Sequence, residues 1–373
     1  MQTKVIASSK TRIEDDAVVQ LKKTAQLPGM EEAVGMPDLH PGKDSPIGAV
    51  FRSKGVIYPH LVGSDKGCGM ALWKTALRDG KLKLDRWERK LEALAGPWDG
   101  DASAFLAEHG VSPTAFDASL GTVGRGNHFA ELQRVFEVVD AEKFAQMELD
   151  TKSLYILVHS GSRGFGESIL HAHTAKFANG GLRCDSPEGQ AYLAAHDHAV
   201  LWARINRKLI AFRYIEALGT EGTCVLDVCH NNVQASIVDG CECWLHRKGA
   251  APSDVGPVVI PGSRDSLSYL VAAHGDQRGN LASLAHGAGR KWQRSKCRGL
   301  LEDRFTNEQL RRNRYGGRVV CDDKNLLYEE AGHAYKNIDQ VVQDLVDAGL
   351  IRTIAKFAPV LTYKISKRER DDE

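Results

Sequence analysis

The stretch SPEGQAYLAAHDHAVLWARINRKLIAFRYIEALG, residues 186–219, is the longest helical signal in the chain. Ser186 offers an N-cap hydroxyl, Pro187 suits the first helical turn, and Gly219 supplies a stop. Between them Leu193, Leu201, Ile205, Leu209, Phe212 and Ile215 recur at helical spacing, so a structural spine is expected here. Around it lie short runs rich in β-branched residues: Leu154 to Val158, Val225 to Val228 and Val258 to Ile260. Each ends in a polar or glycine-rich segment. Helices with short β-rich runs between them are read as an α+β fold, with central β-sheets flanked by helices.

Further helices are expected around Ile13, Ala17, Val18 and Leu21, around Trp87, Leu91 and Leu94, and from Asp339 to Leu345. A last strand is expected around Val360 to Tyr363. No repeat period, low-complexity tract or long Pro/Ser-rich linker divides the chain, so residues 1–373 are read as one domain. The charged tail at 365–373 is expected to be flexible.

The 49 basic residues nearly balance 48 acidic ones, so no global positive field marks a polyanion partner, and any nucleic-acid contact must come from local patches. The N-terminus lacks a signal-peptide core and no segment approaches the roughly 18 apolar residues of a membrane span. A cytoplasmic location without membrane contact is expected. The eight cysteines are then read as reduced thiols.

Five segments set histidine, cysteine or aspartate beside glycine, serine or asparagine: SDKGCG (64–69), GRGNHFAE (124–131), VHSGSRG (158–164), CHNN (229–232) and AHGAGR (285–290). Small residues let the backbone approach a ligand while strands hold the side chains still. Asp65 and Cys68, three positions apart in a glycine-rich turn, can converge on one ion, and His128, His159 and His230 are suitable companions. Taken singly, each histidine is more often a hydrogen-bonded structural residue; the recurrence is what favours a site.

His286 precedes Gly287 and Gly289, then Arg290, Lys291, Arg294, Lys296 and Arg298, with Trp292 among them. Glycine-rich backbone can present N–H groups to phosphate, arginine can clamp it, and an imidazole can attack phosphorus. That combination suits nucleotidyl transfer, although a solvated basic helix would look the same. No G-x-x-x-x-G-K-[ST] loop and no K-x-D-G motif is present, which disfavours a nucleotide carried on lysine. Cys241 and Cys243, with Cys224, Cys229 and His246, form a weak zinc signal better read as packing. Arg311, Arg312, Arg314 and Arg318 around Tyr315 could bind phosphate and stack a base, or form an exposed turn.

MPDLHPGKDSPIGAV (36–50), LGTVGRGNHFAELQ (120–133), LVHSGSRGFG (157–166), HRKGA (246–250), VVIPGS (258–263), HGAGRKWQRSK (286–296) and AYKNID (334–339) together resemble the RtcB family of RNA-splicing ligases, in the family's order and over nearly the whole chain. The resemblance implies an enzyme that joins RNA 3′-phosphate or 2′,3′-cyclic phosphate ends to 5′-hydroxyl ends, using GTP and two Mn²⁺ ions. It implies that Cys68 bridges the metals, with Asp65, His128, His159 and His230 as the other ligands, and that His286 is the guanylylated nucleophile. By position, Asn127, Glu131, Asn231, Ser263, Ser268, Gly287, Gly289, Tyr335 and Lys364 would surround the nucleotide, while Arg163, Arg290 and Arg294 would hold phosphate or RNA. On composition alone a Cys/His site suggests zinc.

Several positions depart from the family pattern. Gly67 replaces an asparagine before the metal cysteine, Ser64 precedes Asp65, Arg264 and Asp265 replace an apolar residue and a glycine, and nine residues follow Lys364. The SDKGCG form resembles a subgroup encoded beside release factor H homologues, which implies repair of cleaved ribosomal or transfer RNA, within RNA splicing and tRNA processing broadly, with such a homologue or the ribosome as partner, rather than routine tRNA splicing. Dependence on an activating archease is left open. Two other functions compete: a metal-dependent cyclic phosphoesterase and a non-catalytic RNA-end-binding protein.

Overall fold

In the computed structural model, residues 2–238 and 240–365 are described. The spine forms as expected: a 32-residue helix runs Pro187–Leu218. Ser186 Oγ accepts from the Gly189 N–H at 3.1 Å, and Gly219 closes the helix in the left-handed conformation at φ 68°. Helices also form at Asp15–Ala25, at Leu84–Leu91 and at Ile338–Asp347, matching the other three helical expectations. Among the described residues no helix is long and apolar enough to cross a membrane.

Two sheets carry the molecule. The larger has the order Val258–Ile260, Ser268–Ala273, Ile351–Ile365, Phe129–Val138, Ser153–Ser160, Gly69–Arg78 and Gly222–Cys229, with Arg318–Cys321 pairing parallel to the long Ile351–Ile365 strand. The smaller has the order Gln2–Val5, Met30–His40, Ile47–Ser53, Cys241–Lys248 and Asn231–Val238. The strand Gly222–Cys229 at one edge of the large sheet leads through His230 into Asn231–Val238 at one edge of the small one. His230 therefore sits where the chain changes sheets.

The last strand is much longer than the Val360 to Tyr363 run that the sequence suggests, spanning Ile351–Ile365. Pro359 lies in its middle and cannot donate to a ladder, so periodicity alone reads it as a break. The strand keeps going because the pairing with Phe129–Val138 shifts register between Pro359 and Leu361, a bulge that relieves the missing donor. Residues 366–373, almost all of the charged tail, lie outside the described residues.

Between the sheets, Val34, Val50, Leu245, Ile260, Val271, Leu284 and Ile338 build one core. On the far face of the large sheet the spine packs Ile210, Tyr214 and Leu218 against Ala71, Leu132, Ile156 and Val158. Fully buried Arg207 on that helix donates to Asp227 Oδ1 at 2.9 and 2.6 Å, and to the carbonyls of Gly67 and Ser160. The spine thus holds the turn that leads into Cys68 and the strand end that carries His159.

Candidate metal and nucleotidyl-transfer site

Strand register gathers the metal-type residues. Gly69 pairs with Ser160 on one side and Cys229 on the other, Met70 pairs with His159, and Phe129 pairs with His159. Cys68, His128, His159 and His230 each lie at or next to these strand ends, so four antiparallel strands deliver them to one rim of the sheet. Cys68 Sγ lies 3.2 Å from His159 Nε2 and 3.5 Å from His128 Nε2, while His159 and His230 face each other through Nε2 atoms 3.3 Å apart. Asp65 Oδ2 is 2.7 Å from His128 Nε2.

These residues form two overlapping sets able to hold a metal, Cys68–His159–His230 and Asp65–Cys68–His128, with Cys68 common to both. Asp65 Oδ1 is buried without a hydrogen-bond partner, a cost that a cation would remove. His159 donates Nδ1–H to the Asn127 carbonyl at 3.1 Å, which leaves Nε2 as the lone-pair atom facing the cluster. Burial, then the neighbouring imidazoles, pushes His159 and His230 well below the ordinary imidazole range, so both are neutral donors. Burial and the adjacent Asp65 carboxylate push the Cys68 thiol well up. Burial also works against the Asp65 carboxylate, but His128 beside it holds its pKa down to about 2. The donor set, with one carboxylate, one sulfur and three imidazoles, fits a divalent transition metal.

His286 stands beside this cluster, its ring 4.9 Å from that of His230, and its side chain is 11% exposed. Asp38, fully buried and missed by the sequence reading, accepts from His286 Nδ1 at 2.6 Å and from its backbone N–H at 3.2 Å. Nδ1 therefore carries the proton and Nε2 the lone pair. Close packing enforces the arrangement: a Cβ at Gly289 would lie 2.3 Å from the Asp38 carbonyl, and one at Gly249 would lie 2.8 Å from His286 Cε1. His40, whose Nδ1–H donates to the Asp38 carbonyl at 2.8 Å, is held neutral by burial at a pKa of about 4.

A cavity of about 760 Å³ opens over this group and is lined by Cys68, His159, His230 and His286, and further along by Glu131, Glu330, Tyr335 and Lys364. That volume falls in the roughly 300–1,000 Å³ range of small-molecule sites. Asn127, Asn231, Ser263, Gly287, Gly289, Arg290 and Arg294 also line it. Asn231 is occupied in tying loops together: its Nδ2 donates to the Asp65 carbonyl at 3.1 Å and its Oδ1 accepts from the Gly249 N–H at 2.6 Å. Ser268 lies one layer back, accepting from Gln133, which in turn donates to Glu131.

The arginines differ more than their motifs suggest. All five N–H donors of Arg290 are engaged, by Trp292 O, Glu330, Tyr335 OH, Cys297 Sγ and Glu329 O, so none is left for phosphate. Arg294 donates Nε to Glu330 at 3.3 Å, and its side chain remains 46% exposed. Arg163, at φ 56°, packs its guanidinium where a Gly124 side chain would otherwise lie. Arg311 is ion-paired with Asp322 and Arg318 with Asp85 and Glu88, while Arg314 donates its side-chain Nε to the Asp265 carbonyl, so these three arginines around Tyr315 are engaged within the protein.

The departures from the family pattern have structural reasons. Gly67 adopts φ +75°, and a Cβ there would lie 2.7 Å from Ala203 Cβ and 2.8 Å from Val200 Cα. The spine helix packs directly on the metal loop, and only glycine fits. Arg264 is buried, donating to the Leu327 carbonyl at 2.7 Å, and Asp265 receives the Arg314 backbone N–H at 2.8 Å. Both pin the 263–266 turn to the segment behind it. Cys241, Cys243, Cys224 and His246 belong to no metal-capable group among the described residues.

The sequence matches the family model described as tRNA-splicing ligase RtcB over residues 20–98 and 97–365. It is 50% identical over 366 residues to RNA-splicing ligase RtcB2 of Escherichia coli, covering 97% of this chain and 95% of that protein. It is 31% identical to tRNA-splicing ligase RtcB of Thermococcus kodakarensis, covering 93% and 90%, and 29% identical to that of Methanococcus maripaludis, covering 94% and 92%. With a transition-metal-type cluster, an oriented histidine and this breadth of similarity, the chain belongs to the RtcB family of RNA-splicing ligases.

Proposed function

We propose that this RNA ligase is a cytoplasmic enzyme that joins RNA 3′-phosphate or 2′,3′-cyclic phosphate ends to 5′-hydroxyl ends, consuming GTP through a guanylate carried on His286. The observation that carries the reading is the Asp38–His286 pair, which sets the Nε2 lone pair of an otherwise unremarkable imidazole beside a Cys/His/Asp cluster in one cavity. His286 Nε2 attacks the α-phosphorus of GTP, a P–N bond forms and pyrophosphate leaves. An oxygen of the RNA 3′-phosphate then takes the guanylate, restoring the imidazole, and the 5′-hydroxyl attacks the activated 3′-phosphorus to expel GMP. Asp38 stabilises the positive charge that the ring gains on attack.

Manganese would be held by Asp65, Cys68, His128, His159 and His230, and when bound would neutralise charge on phosphoryl oxygens. Asn127, Asn231, Ser263, Gly287 and Gly289 form the nucleotide wall, with Glu131, Tyr335 and Lys364 at the base and Ser268 supporting Glu131 through Gln133. A buried carboxylate and a buried ammonium suit the donor and acceptor edges of guanine. Arg163 and Arg294 are assigned to phosphate, and Arg290 to holding the wall. The RNA is inferred to be cleaved ribosomal or transfer RNA, with a release factor H homologue or the ribosome as partner, from the SDKGCG resemblance.

The test supplies Mn²⁺, GTP and RNAs with 5′-hydroxyl ends and either 3′-phosphate or 2′,3′-cyclic phosphate ends, and follows joining. Joined product is expected from the wild type. Conversion of cyclic phosphate to monoester without joining would favour a phosphoesterase, and binding of RNA ends with no turnover would favour a binding protein.

A further inference from the structure

Glu330 is 4% exposed and stands in the cavity wall with more partners than any other carboxylate there. One oxygen accepts from Arg290 Nη1 at 3.0 Å and from Arg294 Nε at 3.3 Å. The other accepts from Tyr335 OH and faces Lys364 Nζ at 3.8 Å. Lys364 also donates to the Gly126 carbonyl at 2.8 Å, and a Cβ on Gly126 would lie 3.0 Å from Arg294 Nη2. Glu330 thus joins two regions: Lys364 and Tyr335 in the cavity, and the half-exposed Arg294 beside the glycine-rich loop that ends at His128.

We propose that Glu330 is a positioning residue that holds Lys364 charged and in place for the nucleotide base while fixing Arg294 for phosphate. The inference rests on the reading that Lys364 meets the base of GTP. Lys364 is buried, and the charged or titratable groups around it are Glu330, Cys321, Arg264 and Arg294, with Glu131 across the base end. Burial lowers its pKa to about 8, and Glu330 is the chief group acting in the opposite direction. Both arginines push the same way as burial. Without Glu330 the ammonium would lose its proton at a lower pH, and a neutral amine is a poorer donor to a base carbonyl. The ammonium form exists below its pKa and is lost above it, so base recognition weakens as pH rises, earlier when the carboxylate is absent.

The experiment measures kcat and KM for guanylate transfer from labelled GTP between about pH 6.5 and about pH 9 in Glu330→Gln, Lys364→Met and the double variant. In the wild type, 1/KM is expected to fall through about pH 8. In Glu330→Gln the fall shifts down by about one pH unit, KM at the upper end rises roughly tenfold, and kcat changes much less. Lys364→Met and the double variant should share one raised KM with no alkaline fall. A damaged fold would reduce the active fraction at every pH without moving the midpoint. An unchanged midpoint in Glu330→Gln overturns the proposal, as does an alkaline fall that survives Lys364→Met. Should Glu330→Gln fail to fold, Glu330→Asp, whose shorter carboxylate draws back from Lys364, takes its place: a smaller downward shift of the midpoint is expected, and an unchanged midpoint overturns the proposal. Failure of the wild type to take up label at any pH would instead overturn the nucleotidyl-transfer reading.

Discussion

Asp38 and His286, 248 positions apart in sequence, are joined twice, the same carboxylate oxygen accepting from the imidazole Nδ1 and from the backbone N–H of His286. The double contact fixes both the tautomer and the ring plane. Asp38→Asn would keep the shape and place an amide that can stabilise the wrong tautomer. Guanylate transfer is expected to slow by roughly 10²–10⁴-fold with a small change in KM for GTP, measured by single-turnover labelling. A loss confined to KM would mean that Asp38 serves binding rather than the nucleophile.

Cys68 is the atom common to both metal-capable sets, so its loss should affect both at once. Cys68→Ala is expected to weaken Mn²⁺ binding by at least about 100-fold while leaving circular dichroism intact. Titration calorimetry would read this directly. Undiminished binding in that variant would place the metal elsewhere.

Gly67 is where the metal-capable loop packs against the spine. Gly67→Asn tolerates the positive φ better than most residues, yet its Cβ would run into the spine at Ala203 and Val200. A destabilisation of about 1–3 kcal/mol is expected in urea unfolding, together with weaker Mn²⁺ binding, because the helix and the metal loop must separate. Stability equal to the wild type would mean that the helix yields at no cost.

The spine also supplies the buried Arg207–Asp227 pair. Arg207→Met would leave Asp227 without its cation and the Gly67 and Ser160 carbonyls without their donor, costing about 3–5 kcal/mol by denaturant unfolding. Replacing both Arg207 and Asp227 with apolar residues should recover part of that. A single variant as stable as the wild type would remove the spine from its role in holding the site.

How much of this could be read in the chain depends on how local each signal is. Ser186, Pro187 and Gly219 write the ends of the spine into adjacent residues, and the short strands end where glycine and histidine follow, so those elements and the gathering of metal-capable side chains at the strand ends were legible. The Ile351–Ile365 strand was only partly so, because Pro359 breaks the pattern and the bulge that rescues it depends on a partner strand. Asp38 lay in plain view within MPDLHPG, but nothing local ties it to His286. Glu330 reads as an exposed acid at the end of a short helix; only tertiary burial turns it into a hub. Arg290 misleads in the opposite direction, since its motif suggests a free clamp while its neighbours use every donor.

His286 Nε2 is the atom proposed to carry the guanylate. Protein incubated with Mn²⁺ and α-labelled GTP should form an adduct stable in alkali and labile in acid, and peptide mapping should place the label on His286. His286→Ala should take up none and should join no RNA, while Cys68, His159 and His230 remain able to bind metal. Label retained by His286→Ala, or mapped to a lysine such as Lys248 or Lys364, would contradict the account.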